Sequence, residues 1–401
     1  MRDYRRTSVC TIGLIRVLIA LCLAMTCGLA YAQSTIKVGF FGPLTGPFAG
    51  LGLDAKKGAE FATKQLNAAG GINGKKVELV TYDDQGNPAE AVSVVRKLME
   101  HDDVAAIIDG SLSLTSIAAA PVVNQGKTPM VVAYSNAVAV VKDHPYIYRW
   151  ASVADVQGWV MAHDAVKKGF KTFAILMQDE DYGRGIINGF ERGIEKLGGK
   201  VLYKRPFAPS EREFRSYLTA IKGLNVDAVI AAGFGPALTA IGREGGELGV
   251  FPKAQLYVSC DANEIDWYRG IGDYGDGTIA TLEVVVPTEN KITIDFYKSW
   301  KAEFKDPIVT HEAALTYDAS RLLFDAIKRG GETREGIRKA LQDTKDFMNL
   351  DGFKVSYTKL REPLLPIILA KWDRKAKNFE IVDVKTDPAL IDPRPWYQYY
   401  K

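Results

Sequence analysis

Cysteine and histidine are scarce in this chain, with four of each in 401 residues. Cys10, Cys22 and Cys27 lie within the first 32 residues, so only Cys260 remains beyond them. A single cysteine forms no internal disulfide. No histidine stands near Cys260 in sequence to activate it as a nucleophile, and His101, His144, His163 and His311 lack metal-ligand spacing. A Gly-x-Ser-x-Gly elbow and a phosphate-loop lysine are also missing. The segment Gly50-Leu51-Gly52-Leu53-Asp54-Ala55 resembles a dinucleotide fingerprint. Its glycines, however, come too late after a strand expected to end at Phe41 to make the tight turn. Asp83-Asp84 and Asp102-Asp103 read as a solvated strand end and a helix end. These absences argue against an enzyme and predict neither a cofactor nor a metal.

Beyond residue 32 there is no apolar run of the roughly 18 residues that crosses a bilayer. The first 32 residues differ. They carry Arg2, Arg5, Arg6 and Arg16, then the apolar stretch Val17–Ala30, then Ala30-Tyr31-Ala32. That is the pattern of a secretion signal cleaved before Gln33, and it predicts a periplasmic protein. The segment also holds Asp3, so its loss removes the whole formal net charge of +3. A neutral remainder gives no reason to expect nucleic acid or an anionic surface as partner. With 47% hydrophobic and 25% charged residues, the chain falls in the globular class.

Strand and helix patterns alternate along residues 36–142. The expected strands are Lys37–Phe41, Lys76–Tyr82, Ala105–Asp109 and Met130–Ala133. Helices are expected over Ala55–Ala69, Pro88–His101 and Leu114–Gln125. Asn87-Pro88 is a fair helix start. Residues 171–282 repeat the plan, with strands Thr172–Met177, Lys200–Pro206, Ala228–Ala232, Gln255–Ser259 and Thr278–Leu282. Their helices are Arg184–Leu197, Glu213–Leu224 and Pro236–Leu248. Such alternation predicts an α/β fold of two doubly wound parallel-sheet lobes. The tail, with helices over Ile294–Phe304, Ala313–Arg329 and Thr333–Leu341 and strands at 350–357, 365–372 and Phe379–Val384, is too short for a third lobe. It is expected to complete the other two by crossing between them. The expected division is 33–152 with 284–355 for the first lobe and 153–283 with 356–401 for the second.

Ligands of open parallel sheets bind beyond the carboxyl ends of the strands. The loops expected there are Gly42–Gly52, Gly110–Thr115, Tyr134–Asn136, Gln178–Gly183, Gly233–Pro236 and Cys260–Asn263. Their Gly, Ser, Asn, Asp, Tyr and Phe suit a small polar or zwitterionic solute with an organic side group. Ser111, Ser113, Thr115 and Ser116 fit either helix capping or a carboxylate site at a helix N-terminus. Tyr182 could be plain surface, and Asp261 could cap a turn or receive an ammonium. Phe234, held between Gly233 and Gly235, is less natural as core.

The stretch Ile36–Asp84 resembles the extracytoplasmic solute-binding proteins of ABC transporters, of the branched-chain amino acid (leucine/isoleucine/valine-binding) type. The residues carrying the likeness are Gly42-Pro43-Leu44-Thr45-Gly46, Gly58-Ala59-Glu60, Asn67-Ala68-Ala69-Gly70-Gly71-Ile72-Asn73-Gly74 and Tyr82-Asp83-Asp84. Tyr148-Arg149 and Asp181-Tyr182-Gly183-Arg184-Gly185 match further on. The resemblance implies two lobes joined by three crossovers, the type I periplasmic binding protein fold, with the ligand in the cleft between them. It implies capture of a small amino acid or carboxylate-bearing solute, aromatic acids included, by a monomer that delivers it to a membrane permease. A ligand sensor reporting to a membrane receptor partner would share the same pocket. The resemblance places the ligand carboxylate near Ser113 or Thr115 and the Ser135–Asn136 loop, and the ammonium at the Tyr134 backbone and Asp261. Tyr182 and Phe234 match tyrosine contacts. Large residues at Tyr134 and Trp150, a shorter acid at Asp261, and Leu51 where leucine binders have tyrosine suggest a pocket not tuned to leucine.

Overall fold

The computed structural model describes residues 35–284, 289–305 and 308–400. The expected signal segment, with Cys10, Cys22 and Cys27, lies outside the described residues. The chain begins with β1 (Ile36–Gly42), α1 (Ala49–Ala68), β2 (Val77–Asp83), α2 (Pro88–Glu100), β3 (Ala106–Asp109), α3 (Ser113–Gln125), β4 (Met130–Val132) and β5 (Ile147–Arg149). The five strands form one parallel sheet in the order β2-β1-β3-β4-β5. Val38, Phe40 and Phe41 of β1 are fully buried on both faces of the sheet, as expected where helices cover each side. Asn87 caps α2 by accepting from the Ala89 N–H at 2.8 Å, and Pro88 follows at the first helical position.

A second unit follows: α4 (Ala154–Lys167), β6 (Thr172–Gln178), α5 (Asp181–Leu197), β7 (Lys200–Phe207), α6 (Arg215–Leu224), β8 (Ala228–Ala232), α7 (Gly235–Glu247), β9 (Gln255–Val258), α8 (Ile265–Gly270) and β10 (Ile279–Leu282). The chain then returns to the first unit with α9 (Lys291–Glu303), α10 (His311–Gly330), α11 (Arg334–Gln342) and the short pair β11 (Phe347–Met348) and β12 (Lys354–Val355). Ala313, Leu322, Leu323 and Ile327 of α10 share one buried cluster with Val38 and Phe40. Finally β13 (Ile367–Asp373), β14 (Asn378–Lys385) and α12 (Pro388–Ile391) rejoin the second unit. Its sheet runs β14-β13-β10-β9-β8-β6-β7. The tail therefore does cross between lobes, and three crossovers connect them. The second sheet is not wholly parallel, because β13 and β14 pair antiparallel on the β10 edge.

Several elements differ from expectation: β5 and α8 come in addition, and the strand expected at 350–357 is reduced to the two residues of β12. Two further differences have identifiable reasons. The first helix starts at Ala49, not Ala55. Gly50 and Gly52 are poor helix formers and read as loop. In the fold, a Cβ at Gly52 would lie 2.2 Å from the Pro43 carbonyl oxygen, so packing requires glycine there. Helix α4 was not expected at all. Its buried Asp155, Gln157 and Asp164 blur the apolar period. It packs against α5 so closely that a Cβ at Gly158 would sit 1.8 Å from the Ile186 carbonyl oxygen.

Buried polar groups bind the crossovers together. Arg149, fully buried, meets Glu362 of the third crossover at 2.8 Å. It also donates to the carbonyls of Ser135 and Ala137. Glu283, beginning the second crossover, accepts from the Ser152 N–H of the first and from Asn136 Nδ2 at 3.1 Å. Burial pushes the Glu283 carboxyl up to about 7.

Candidate functional site

The loops at the carboxyl ends of both sheets face each other. On the first lobe, Asp83 organises the loop after β1 by accepting from the Leu44 N–H at 2.8 Å and the Gln85 N–H at 2.8 Å. Asp84 is not a solvated strand end. It is fully buried and accepts from the Ser111 hydroxyl, and burial raises its pKa. Ser111 Oγ also lies 2.6 Å from Thr115 Oγ1, which donates to the Leu112 carbonyl at 2.8 Å. Thr115 is thus committed to holding the start of α3. Ser113, the first residue of that helix, accepts instead from Ser135 Oγ at 3.1 Å. The structure so brings Ser113 and Ser135 together as a hydroxyl pair and separates Thr115 from them.

Tyr134 is buried and donates to the Gly110 carbonyl at 2.8 Å, tying the β3 and β4 loops to each other. Asn136 donates to the Ser152 carbonyl at 2.7 Å as well as to Glu283, so its amide serves the crossovers. Trp150 is buried in the first lobe's core, edge-on to Phe347 at 5.4 Å. Leu51 and Leu112 of this lobe pack into the second lobe's apolar cluster, which includes Tyr182 and Phe234.

On the second lobe, Glu180 caps α5 by accepting from the N–H groups of Tyr182 at 2.8 Å and Gly183 at 2.7 Å. This places the Tyr182 ring parallel to Phe234, centroids 6.0 Å apart. Phe234 immediately precedes α7 and meets Phe48 of the first lobe edge-on at 5.5 Å. Asp261 sits on a single 3-10 turn, Cys260–Ala262, where burial pushes its carboxyl up to about 6. Tyr182 Oη lies 3.1 Å from Cys260 Sγ. Burial raises the Cys260 thiol well above its ordinary range, the opposite of what an attacking thiolate needs.

Residues not singled out in the sequence complete the cleft. The His311 N–H at the start of α10 donates to the Asn263 carbonyl at 3.0 Å, joining the lobes. Glu312, next to it, reaches the acids of the second lobe: one oxygen each of Asp261, Glu264 and Glu312 lies within 4.8 Å of the others. Glu264 has room because a Cβ at Gly235 would fall 2.2 Å from its Oε2. A cavity of about 40 Å³ opens here, bordered by Phe48, Gln178, Phe234, Glu264 and Glu312. Cys260, Glu283 and His311 form a second group that could present metal ligands. There His311 Nε2 is 3.3 Å from Glu283 Oε2, and burial pushes the ring down to about 3. Glu312 was hidden because an acid opening a helix reads as a partner of the helix dipole.

Two α/β lobes, with aromatics and acids from both meeting around a small cavity between them, have the architecture of a two-lobed solute-binding protein. The chain belongs to the periplasmic binding protein family, whose model matches residues 35–377. It is 27% identical over 332 residues to the leucine-, isoleucine-, valine-, threonine- and alanine-binding protein of Pseudomonas aeruginosa, covering 82% of this chain and 87% of that one. Against the Leu/Ile/Val-binding protein of Escherichia coli it is 27% identical over 293 residues, 72% of this chain and 79% of the other. The fold is shared with a solute-binding protein of an ABC transporter from Rhodopseudomonas palustris, solved with 3,4-dihydroxybenzoic acid. There the TM-score is 0.81 and the identity 21%, covering 88% of this chain and 97% of that one. Among the described residues no helix is long and apolar enough to cross a membrane.

Proposed function

We propose that this protein captures an amino acid or a related small solute bearing a carboxylate between its lobes and delivers it to the permease of an ABC transporter. The observation that supports this reading is a small cavity between the lobes, bordered by Phe48 and Glu312 from the first and by Gln178, Phe234 and Glu264 from the second, with Asp261 beside those acids. Hydroxyls and the N-terminal end of α3 suit a carboxylate. Asp261 suits an ammonium. The Tyr134 backbone, Asn136 and Trp150 border or brace the carboxylate side. The lobes comprise 33–152 with 284–355 and 153–283 with 356–401. The protein acts as a monomer without catalysis or cofactor, in the periplasm, after cleavage of its first 32 residues.

Phe48 and Phe234 already touch and the remaining cavity is about 40 Å³. An amino acid therefore enters only when the lobes swing apart at the crossovers, and closure follows. Thermal shift against a panel of amino acids and aromatic acids tests the reading. At least one should raise Tm by several degrees at saturation. A panel with no effect on ligand-stripped protein would refute it.

A further inference from the structure

Gln178 closes β6 at its carboxyl end, and its backbone is firmly held. It pairs with Phe207 of β7, and its carbonyl accepts from the Glu180 N–H at 3.0 Å. A Cβ at Gly183 would lie 2.3 Å from that carbonyl oxygen. The side chain is fully buried. Gly233 makes room for it, since a Cβ there would fall 3.1 Å from the Gln178 Cβ and 3.2 Å from its Oε1.

The two ends of this amide are not equivalent. The Phe234 N–H donates to Oε1 at 3.3 Å. A backbone N–H can only donate, so the oxygen takes that end and the NH2 group the other. Both residues belong to the second lobe, so the amide keeps its direction when the lobes part. Nε2 has no hydrogen-bond partner among the described residues. A buried donor without an acceptor is rare in folded proteins and calls for a reason.

The reason lies in what Gln178 borders: the cavity between the lobes, beside the contacting rings of Phe48 and Phe234. A group that satisfies Nε2 there must bring a lone pair. An ammonium has none to offer, and neither has a hydrocarbon. An anionic side group would meet Asp54 and Asp266, which border the same cavity together with Glu264 and Glu312. Burial raises the carboxyls of Glu264 and Glu312 well above their ordinary range, which favours their uncharged form. An uncharged oxygen is the group that fits these surroundings.

We propose that Gln178 is a specificity-determining residue, whose Nε2 donates to an uncharged acceptor oxygen, a hydroxyl or a carbonyl, on the side-group end of the captured solute. This rests on the reading of the cleft as the solute site.

The test is calorimetric titration of ligand-stripped protein with pairs matched in shape, one member of each bearing a side-group oxygen. The pairs are L-threonine and L-valine, L-glutamine and L-methionine, L-tyrosine and L-phenylalanine, and 4-hydroxybenzoate and benzoate. In the tightest-binding pair the oxygen-bearing member should bind about tenfold tighter or more, because its partner leaves a donor buried and unpaired. Gln178→Met, similar in length and without a donor, should bring that pair close to parity by weakening the oxygen-bearing member alone. A merely structural role would weaken both members together and keep their ratio, which would overturn the proposal. Melting curves establish folding, Gln178→Leu serves if the methionine variant does not fold, and the wild-type comparison stands without either. Equal or tighter binding of the hydrocarbon member in wild type would overturn the proposal, leaving Nε2 to a water molecule and the solute-binding reading intact. No binding by any of these solutes would overturn it as well, while the wider thermal-shift panel judges the solute-binding reading separately.

Discussion

The two walls of the cleft share one strand–loop–helix plan and differ in how their polar groups are satisfied. On the first lobe, Ser111, Thr115 and Asp84 bond to each other, and Ser113 pairs with Ser135. On that wall the hydroxyls are held by one another and by Asp84. On the second lobe, Asp261 and Glu264 are crowded by Glu312 from across the cleft, and burial raises the pKa of all three carboxyls. One wall presents paired hydroxyls, and the other presents crowded, buried carboxyls. Affinity should therefore depend on the second wall more than stability does, and stability on the first more than affinity does.

The largest expected effect tests the stability side. Arg149→Leu removes one partner of a buried ion pair and the anchor of the Ser135 and Ala137 carbonyls. Loss of one member of such a pair destabilises by about 3–5 kcal/mol. Urea denaturation should report that loss, and a value below about 1 kcal/mol would show that the crossovers are held by something else. Asp261→Ala tests the affinity side. With an amino-acid ligand it should weaken binding at least tenfold, about 1.4 kcal/mol, while the unfolding midpoint holds or rises. Equal binding by the variant would mean that the ligand has no amine.

The hydroxyls sharpen the contrast within the first wall. Ser113→Ala should weaken a carboxylate-bearing ligand about tenfold, since a hydrogen bond to a charged group is worth about 1.5–3 kcal/mol. Thr115→Val should instead lower stability by about 1 kcal/mol and leave titration curves unaltered. The reverse pattern would exchange their roles.

The smallest effect comes from pH. Burial pushes Asp109, Glu180 and Glu283 up to about 7. Folded protein then holds protons that the unfolded chain has released, so this stabilisation is complete below about pH 4 and fades as pH rises through 7. His311, held down at about 3, acts in the opposite sense only between there and its unfolded value of about 6.5. From pH 6.5 to 8 the ligand-free Tm should fall by about 1–3 °C. A flat calorimetric profile would mean that the acids are already ionised in the folded state.

Much of the architecture was legible because its signals are local. Asn87-Pro88 starts a helix by its own chemistry, and the fully buried strands read as apolar runs. The family likeness also led to the loops that carry Ser113, Tyr182, Phe234 and Asp261. What stayed hidden depends on neighbours distant in sequence. Gly50 and Gly52 look like loop until Pro43 packs on them. The polar side chains inside α4 disguise a helix whose Asp155 finds its partners at Asn188 and Tyr400. Ser113 and Thr115 cannot be told apart until the fold shows which hydroxyl Asp84 and Ser111 have claimed. Glu312 lies 48 to 51 positions from the acids it meets, and no local pattern marks that encounter.

The position of Glu312 also bears on how such a protein could change over generations. It stands at the tip of α10, while the core of the first lobe begins with the very next turns, Ala313 to Ile327. Glu264 likewise stands just ahead of the short helix α8. Substitutions at these two tips would change the acids that meet between the lobes while both sheets keep their packing. The acids between the lobes can thus change while both sheets keep the packing that folds the chain.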